Sequence, residues 1–219
     1  MDKAQGTRHN FKGVHVLVVG LAREGTALTR FLAERGAHVT VTDVKSAEAL
    51  AENLSALADL PVTYTLGSHP LTLLDSVDIL FVSPGVPIEI PLLEEARWRG
   101  LPLSSETRLF TRLCPAPIVG ITGSSGKTTT TALVGEMLKA TGRKTWVGGN
   151  IGQPLISSVD EIAPSDIVVM ELSSFQLDFF GDWESGRTGS VLFEPEGWSP
   201  GIAAVLNVTP NHLDRHPSM

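Results

Sequence analysis

The sequence predicts an α/β protein: a Rossmann-like doubly wound parallel sheet followed by a second α/β unit built around a phosphate loop. Three observations carry this expectation. Two apolar runs, VHVLVV from Val14 and IVGIT from Ile118, each lead through a glycine-rich turn into a stretch with helical spacing. Strand-like and helix-like segments alternate through the first half, as a parallel sheet with crossover helices requires. Between the two series stands Cys114-Pro115-Ala116-Pro117, whose prolines suit a stiff, extended linker. The boundary is placed there, giving domains 1–114 and 115–219.

The elements follow in order. Ala27, Leu28, Phe31 and Leu32 recur at helical spacing after the first strand, and Gly36 suits the residue just past the helix end. AHVTVTD, residues 37–43, is a β-branched strand ending at Asp43. Helical spacing returns at Ala47, Leu50, Ala51, Leu54 and Leu57, and VDILFVS (77–83) is the next strand. In the second series the strand at 118–122 is followed by a helix carrying Leu133, Met137 and Leu138 and ending at Gly142. Further strands are expected at 144–147, 166–171 and 202–207. Residues 178–201 fit neither unit, with five glycines, two prolines, five carboxylates and two tryptophans, Trp183 and Trp198. A connection of that length without structure is usually functional or disordered, and a surface loop is expected.

Composition narrows the functional classes. Seventeen Lys+Arg against 24 Asp+Glu, a net charge of −7 and no long basic run argue against a nucleic-acid scaffold. No apolar run approaches the roughly 18 residues of a membrane span, and the polar start MDKAQGTRHNFKG carries no signal-peptide core. One cysteine, Cys114, permits neither an internal disulfide nor a cysteine-based metal site, so a cytoplasmic protein is expected. What remains is a small-molecule enzyme or binding domain.

Two glycine turns carry the chemistry. Gly123-Ser124-Ser125-Gly126-Lys127-Thr128-Thr129 joins a strand to a helix, where backbone N–H groups and the helix dipole can receive phosphate. Lys127 can reach the outer phosphates, and the Thr128 hydroxyl can ligate the accompanying magnesium. Ile121 stands where the strict phosphate-loop pattern has its first glycine, so only the shorter core is present. Glu171, at the end of DIVVME, occupies the strand end where phosphate-loop enzymes keep the acid that holds magnesium. The second unit is thus expected to be a P-loop ATPase domain with a Mg-ATP site.

The other turn is Gly20-Leu21-Ala22-Arg23-Glu24-Gly25, with Asp43 ending the next strand 23 residues after Gly20. This imitates a dinucleotide fingerprint, but Ala22 replaces the glycine that lets backbone approach a pyrophosphate. Another nucleotide is favoured over NAD, with a ligand-free packing turn as the bland alternative. Ser83, in Ser83-Pro84-Gly85-Val86-Pro87, ends a third strand at the same edge.

Six motifs in order, VLVVGLAREG (16–25), VSPGVP (82–87), GITGSSGKTTT (120–130), GGNIG (148–152), MELSSFQL (170–177) and NVTPNHLDRH (207–216), resemble the Mur ligases of peptidoglycan synthesis. The resemblance implies an ATP-dependent ligase that adds D-glutamate to UDP-N-acetylmuramoyl-L-alanine through an acyl phosphate. It implies that the turn with Arg23 and Glu24, together with Asp43 and Val44, holds the uridine end, with Ser83 near the diphosphate and Asn150 near the muramoyl part. Lys127, Thr128 and Glu171 would serve ATP and Mg2+, and His212 would lie by a second metal ion. Ser125 departs from the asparagine usual in the family.

Such ligases have a further C-terminal domain, and the chain stops at Met219. It is therefore expected to be a truncated, monomeric piece that binds ligands without completing the reaction. His212 and His216 lie four apart, a spacing that without a further ligand does not make a zinc site. A plain P-loop ATPase or kinase, a non-catalytic nucleotide-binding module and an NAD oxidoreductase remain as rival classes.

Overall fold

The computed structural model describes residues 9–180 and 198–213. Trp183, His216 and residues 181–197 of the glycine-rich segment lie outside the described residues. The chain divides into two compact units between Leu109 and Phe110.

In the first unit, β1 (His15–Val19) leads into α1 (Arg23–Ala33), then β2 (His38–Asp43), the short α2 (Ala51–Ser55) and β3 (Thr63–Leu66). β4 (Ile79–Val82), α3 (Pro91–Trp98) and β5 (Leu103–Ser104) complete the sheet, and α4 (Glu106–Leu113) carries the chain on. The sheet has five strands in the order β3-β2-β1-β4-β5, all parallel. Strand order reverses on either side of β1, so the ends of β1 and β4 flank the crevice where doubly wound sheets bind ligands. Leu17, Val18 and Val19 are fully buried, and Leu28, Phe31 and Leu32 of α1 are buried with them. The 3.6-residue period of α1 and the β-branched runs of the strands thus build this core as expected.

In the second unit, β6 (Ile118–Thr122) precedes α5 (Lys127–Ala140), β7 (Thr145–Gly149), β8 (Ile167–Glu171), α6 (Ser174–Leu177) and β9 (Ile202–Val205). Its four parallel strands run in the order β7-β8-β6-β9. β6 and β8 are apolar because strands inside a parallel sheet are covered on both faces; Ile121, Val168, Val169 and Met170 are buried.

The helix after the phosphate loop forms where expected, with one correction to its buried face. Leu133 and Met137 are 59% and 61% exposed, and the positions turned inward are Thr131 and Gly135. The reason is close packing: a Cβ on Gly135 would lie 2.5 Å from the Val147 side chain, so β7 approaches α5 too closely for a larger residue. The expected second helix also shortens, its helical residues reduced to Ala51–Ser55 with none of them buried.

Candidate nucleotide sites

The phosphate loop stands at the carboxyl end of β6, and α5 begins at Lys127 directly after Gly126, which adopts a left-handed φ of 81°. The first N–H groups of a helix have no partner within it, and here they open onto the loop. Lys127 Nζ donates to the Gly123 carbonyl at 2.7 Å, so its ammonium is held across the mouth of the loop. Thr128 and Thr129 are exposed at the first turn of α5. A cavity of about 660 Å³ lies beside the loop, lined by Gly123, Lys127, Asn150, Phe175, Asn207 and His212 among others. His212 has a left-handed φ of 51°, and its ring centroid lies 4.8 Å from that of Phe175.

Glu171 ends β8, in register with Ile121 of β6 on one side and Gly149 of β7 on the other. It is 1% exposed. Oε1 accepts from Asn150 Nδ2 at 2.8 Å, and the Asn150 N–H donates to the Glu171 carbonyl at 2.9 Å. Oε2 is buried with no hydrogen-bond partner. A buried carboxylate oxygen is rarely left in that state, because desolvation of a charge is costly. An oxygen donor held unpaired at the end of the strand beside β6, which feeds the phosphate loop, suits a hard divalent cation such as magnesium.

The GGNIG motif is what allows this approach. Gly149 has a φ of 98°, and a Cβ there would stand 2.4 Å from the Glu171 carbonyl oxygen. The serine after MEL has an equally local purpose: Ser173 caps α6 in a reciprocal pair with Gln176, accepting from its N–H at 3.2 Å. That capping box fixes the start of the segment carrying Phe175.

In the first unit, the turn after β1 is shaped by its outer glycines. A Cβ on Gly25 would lie 2.1 Å from the Gly20 carbonyl oxygen, so only glycine lets α1 pack this closely on the strand end. Ala22 is the residue preceding α1, with an extended φ of −84° that needs no glycine. Asp43 is buried, its Oδ2 accepting from Leu21 N–H at 2.7 Å and its Oδ1 from Lys45 N–H at 2.9 Å. Ser83 Oγ donates to the Gly20 carbonyl at 2.8 Å. Glu24 is buried in the first turn of α1, whereas Arg23 and Val44 are exposed beside it and beside Asp43. The three strand ends named by the sequence therefore meet at one edge of the sheet, tied by Asp43 and Ser83.

Sequence reasoning passes over Asn207. Its carboxamide accepts from Ser125 N–H at 2.9 Å and donates to the Ser125 carbonyl at 3.1 Å. The available signal is an asparagine two residues past β9, first in the NVTPNHLDRH stretch and at the same sheet edge as the phosphate loop.

The Mur ligase MurD-like N-terminal domain family matches residues 14–105, and the Mur ligase middle domain family matches residues 121–219. A UDP-N-acetylmuramoylalanine–D-glutamate ligase from Symbiobacterium thermophilum is 46% identical over 202 residues, covering 92% of this chain and 41% of that protein. The ligase of that name from Citrifermentans bemidjiense is 48% identical over 208 residues, covering 94% and 42% respectively. The chain thus spans about two-fifths of the length of these curated relatives. Among solved structures, a UDP-N-acetylmuramate:L-alanyl-gamma-D-glutamyl-meso-diaminopimelate ligase from Neisseria meningitides aligns with a TM-score of 0.53 at 19% identity. That alignment covers 92% of this chain and 63% of the other, and it shows the shared fold.

Proposed function

The chain belongs to the Mur ligase family through its N-terminal and middle domains, and from that premise we propose that it is the nucleotide-binding part of an ATP-dependent ligase. The reaction proposed for the whole protein joins D-glutamate to UDP-N-acetylmuramoyl-L-alanine in the cytoplasm. The alanyl carboxylate attacks the γ-phosphorus of ATP, giving an acyl phosphate and ADP. The D-glutamate amine then displaces phosphate and loses a proton as the amide forms.

The observation that supports this reading best is the unpaired, buried Glu171 oxygen at a strand end beside a phosphate loop. Two anions must meet in the first step, so positive charge has to be held in place beforehand. Lys127 supplies one such charge, and the N-terminus of α5 adds its dipole. Thr128, Glu171 and His212 would hold magnesium, which when bound supplies further neutralisation of the phosphates. Thr129 would meet the phosphates from the first turn of α5, with Gly123, Ser124, Ser125 and Gly126 shaping the loop ahead of it.

The division of labour proposed between domains is UDP-sugar in 1–114 and ATP in 115–219. Arg23, Glu24, Asp43, Val44 and Ser83 would receive the uridine diphosphate, with Asn150 meeting the muramoyl part. Asp43 serves there as the brace of the turns, since both its carboxylate oxygens are taken by backbone N–H groups.

Calorimetric titration tests the reading. The chain should bind UDP-N-acetylmuramoyl-L-alanine saturably and ignore NAD, and it should bind Mg-ATP. Lys127→Ala should abolish the second binding and leave the first unchanged. NAD binding with no UDP-sugar binding would replace the ligase reading by an oxidoreductase one. Mg-ATP affinity indifferent to Lys127 would remove the proposed phosphate site.

A further inference from the structure

The loop from Gly123 to Gly126 is held by more than its own glycines. Ser124 N–H donates to the Asn207 carbonyl at 3.0 Å, and Leu206 N–H donates to the Thr122 carbonyl at 3.0 Å, so the chain after β9 continues its pairing alongside the loop. Ser124 Oγ donates to the Thr209 carbonyl at 3.0 Å and accepts from Thr209 N–H at 2.9 Å. The Asn207 carboxamide then repeats the pairing with side-chain atoms. Its Oδ1 accepts from Ser125 N–H at 2.9 Å and from Ser125 Oγ at 3.3 Å, while its Nδ2 donates to the Ser125 carbonyl at 3.1 Å.

A primary amide both accepts and donates in one plane, which is what pairing with a peptide unit on both sides demands. The approach is close: a Cβ on Gly123 would lie 3.2 Å from both the N and the O of Asn207.

This arrangement has a consequence for anion binding. Phosphate loops receive phosphate on backbone N–H groups that point inward. Here the N–H groups of Ser124 and Ser125 point outward, to Asn207. Among the described bonds, the donors left to face an anion are those at the start of α5, at its N-cap Gly126 and at Lys127, Thr128 and Thr129.

We propose that Asn207 is the positioning residue of the phosphate loop: its carboxamide fixes the Ser125 peptide so that the first turn of α5, and not the loop ahead of it, receives the phosphate. This rests on the Mg-ATP reading of the second unit. Asn207 need not touch the nucleotide; it acts through the orientation of the loop, as a pre-organised site requires.

The test is Mg-ATP titration of the whole chain, followed by calorimetry and by amide resonances. In the unsubstituted chain, Mg-ATP should shift the amides of Lys127, Thr128 and Thr129, with the Ser125 amide little changed. Asn207→Ala removes two backbone-directed hydrogen bonds and should weaken Mg-ATP binding by roughly tenfold or more. The Ser125 amide should then join the perturbed set.

Asn207→Asp keeps the shape and the acceptor but loses the donor to the Ser125 carbonyl, so it should fold normally and still lose affinity. UDP-sugar binding should be unchanged in both variants, which separates positioning from a general loss of structure. If the unsubstituted chain fails to bind Mg-ATP, the nucleotide reading fails whatever Asn207 does. If it binds and both variants bind equally well, or if Ser125 shifts as strongly as Lys127 in the unsubstituted chain, the proposal is overturned.

Discussion

Glu171→Gln offers a prediction in which stability and ligand binding move in opposite directions. The carboxylate is 1% exposed, with one oxygen satisfied by Asn150 and the other without a partner. A glutamine side chain at this position can keep its oxygen on the Asn150 amide, which leaves a neutral amide nitrogen where a charged oxygen stood. An unsatisfied buried group costs about 1–3 kcal/mol when neutral and more when charged. Glutamine should therefore stabilise the ligand-free chain by about 1 kcal/mol, which for a chain of this size raises the melting temperature by about 2–4 °C.

In saturating Mg-ATP the order should reverse. Ligand at 100 times its Kd adds about 2.7 kcal/mol to the unsubstituted chain, and the variant should gain little of that. The assay is thermal melting monitored by circular dichroism, with and without Mg-ATP, at one ionic strength. A variant that melts lower without ligand and binds Mg-ATP normally would refute the reasoning, because the unpaired oxygen would then be neither a strain on the fold nor a cation ligand.

Three other substitutions or conditions follow from the same geometry. Gly25→Ala places a Cβ 2.1 Å from a backbone oxygen that cannot rotate away, so it should destabilise the first unit by about 1–3 kcal/mol and abolish UDP-sugar binding, read by urea denaturation and calorimetry. Burial pushes the Cys114 thiol up, so alkylation by iodoacetamide at pH 8 should be slower than for an unfolded control and should recover in urea; equal rates would contradict the burial. Burial holds the His69 imidazole below its ordinary range, with its Nδ1 2.9 Å from Thr42 Oγ1. A histidine depressed in the folded state takes up its proton first in the unfolded chain, so stability should fall as pH drops below about 6.5 and continue to fall until the folded form is also protonated. His69→Gln should flatten that part of a pH–stability profile, and an unchanged slope would show that other groups cause it.

Much of the fold is legible in the sequence because parallel strands inside a sheet are continuous apolar runs. β1, β4, β6 and β8 announce themselves in this way, and β2 does so by its β-branched residues instead. β3 and β5 do not: Thr63–Leu66 alternates threonine with half-buried residues, and Leu103–Ser104 is too short to show a period. They become strands because pairing to β2 and β4 makes them so, a tertiary effect that propensity does not carry. The buried face of α5 escapes the sequence for a related reason. Period tells which residues are apolar, whereas burial here follows from Gly135 against Val147, and no apolar count weights a glycine. The glycine turns of the sites are visible because their backbone needs few residue types. Asn207 opens the NVTPNHLDRH stretch, but its hydrogen bond to a loop more than eighty residues earlier cannot be read from that stretch.

The two units also show why a strand-end acid cannot be interpreted from its position alone. Asp43 and Glu171 both end a strand beside the one that feeds a glycine turn, and both are buried. A sequence pattern treats them alike. Hydrogen-bond accounting separates them: Asp43 spends both oxygens on backbone N–H groups of two different turns, so its charge is satisfied without any ligand. Glu171 spends one oxygen on Asn150 and keeps the other unpaired. The first acid can be replaced only at the expense of the turns it ties, and Asp43→Asn should disturb the fold there whether or not nucleotide is present. On the proposed reading, replacing the second should spare the fold and weaken cation binding. What each acid leaves unsatisfied, which is a property of the folded chain and not of either motif, is what separates them.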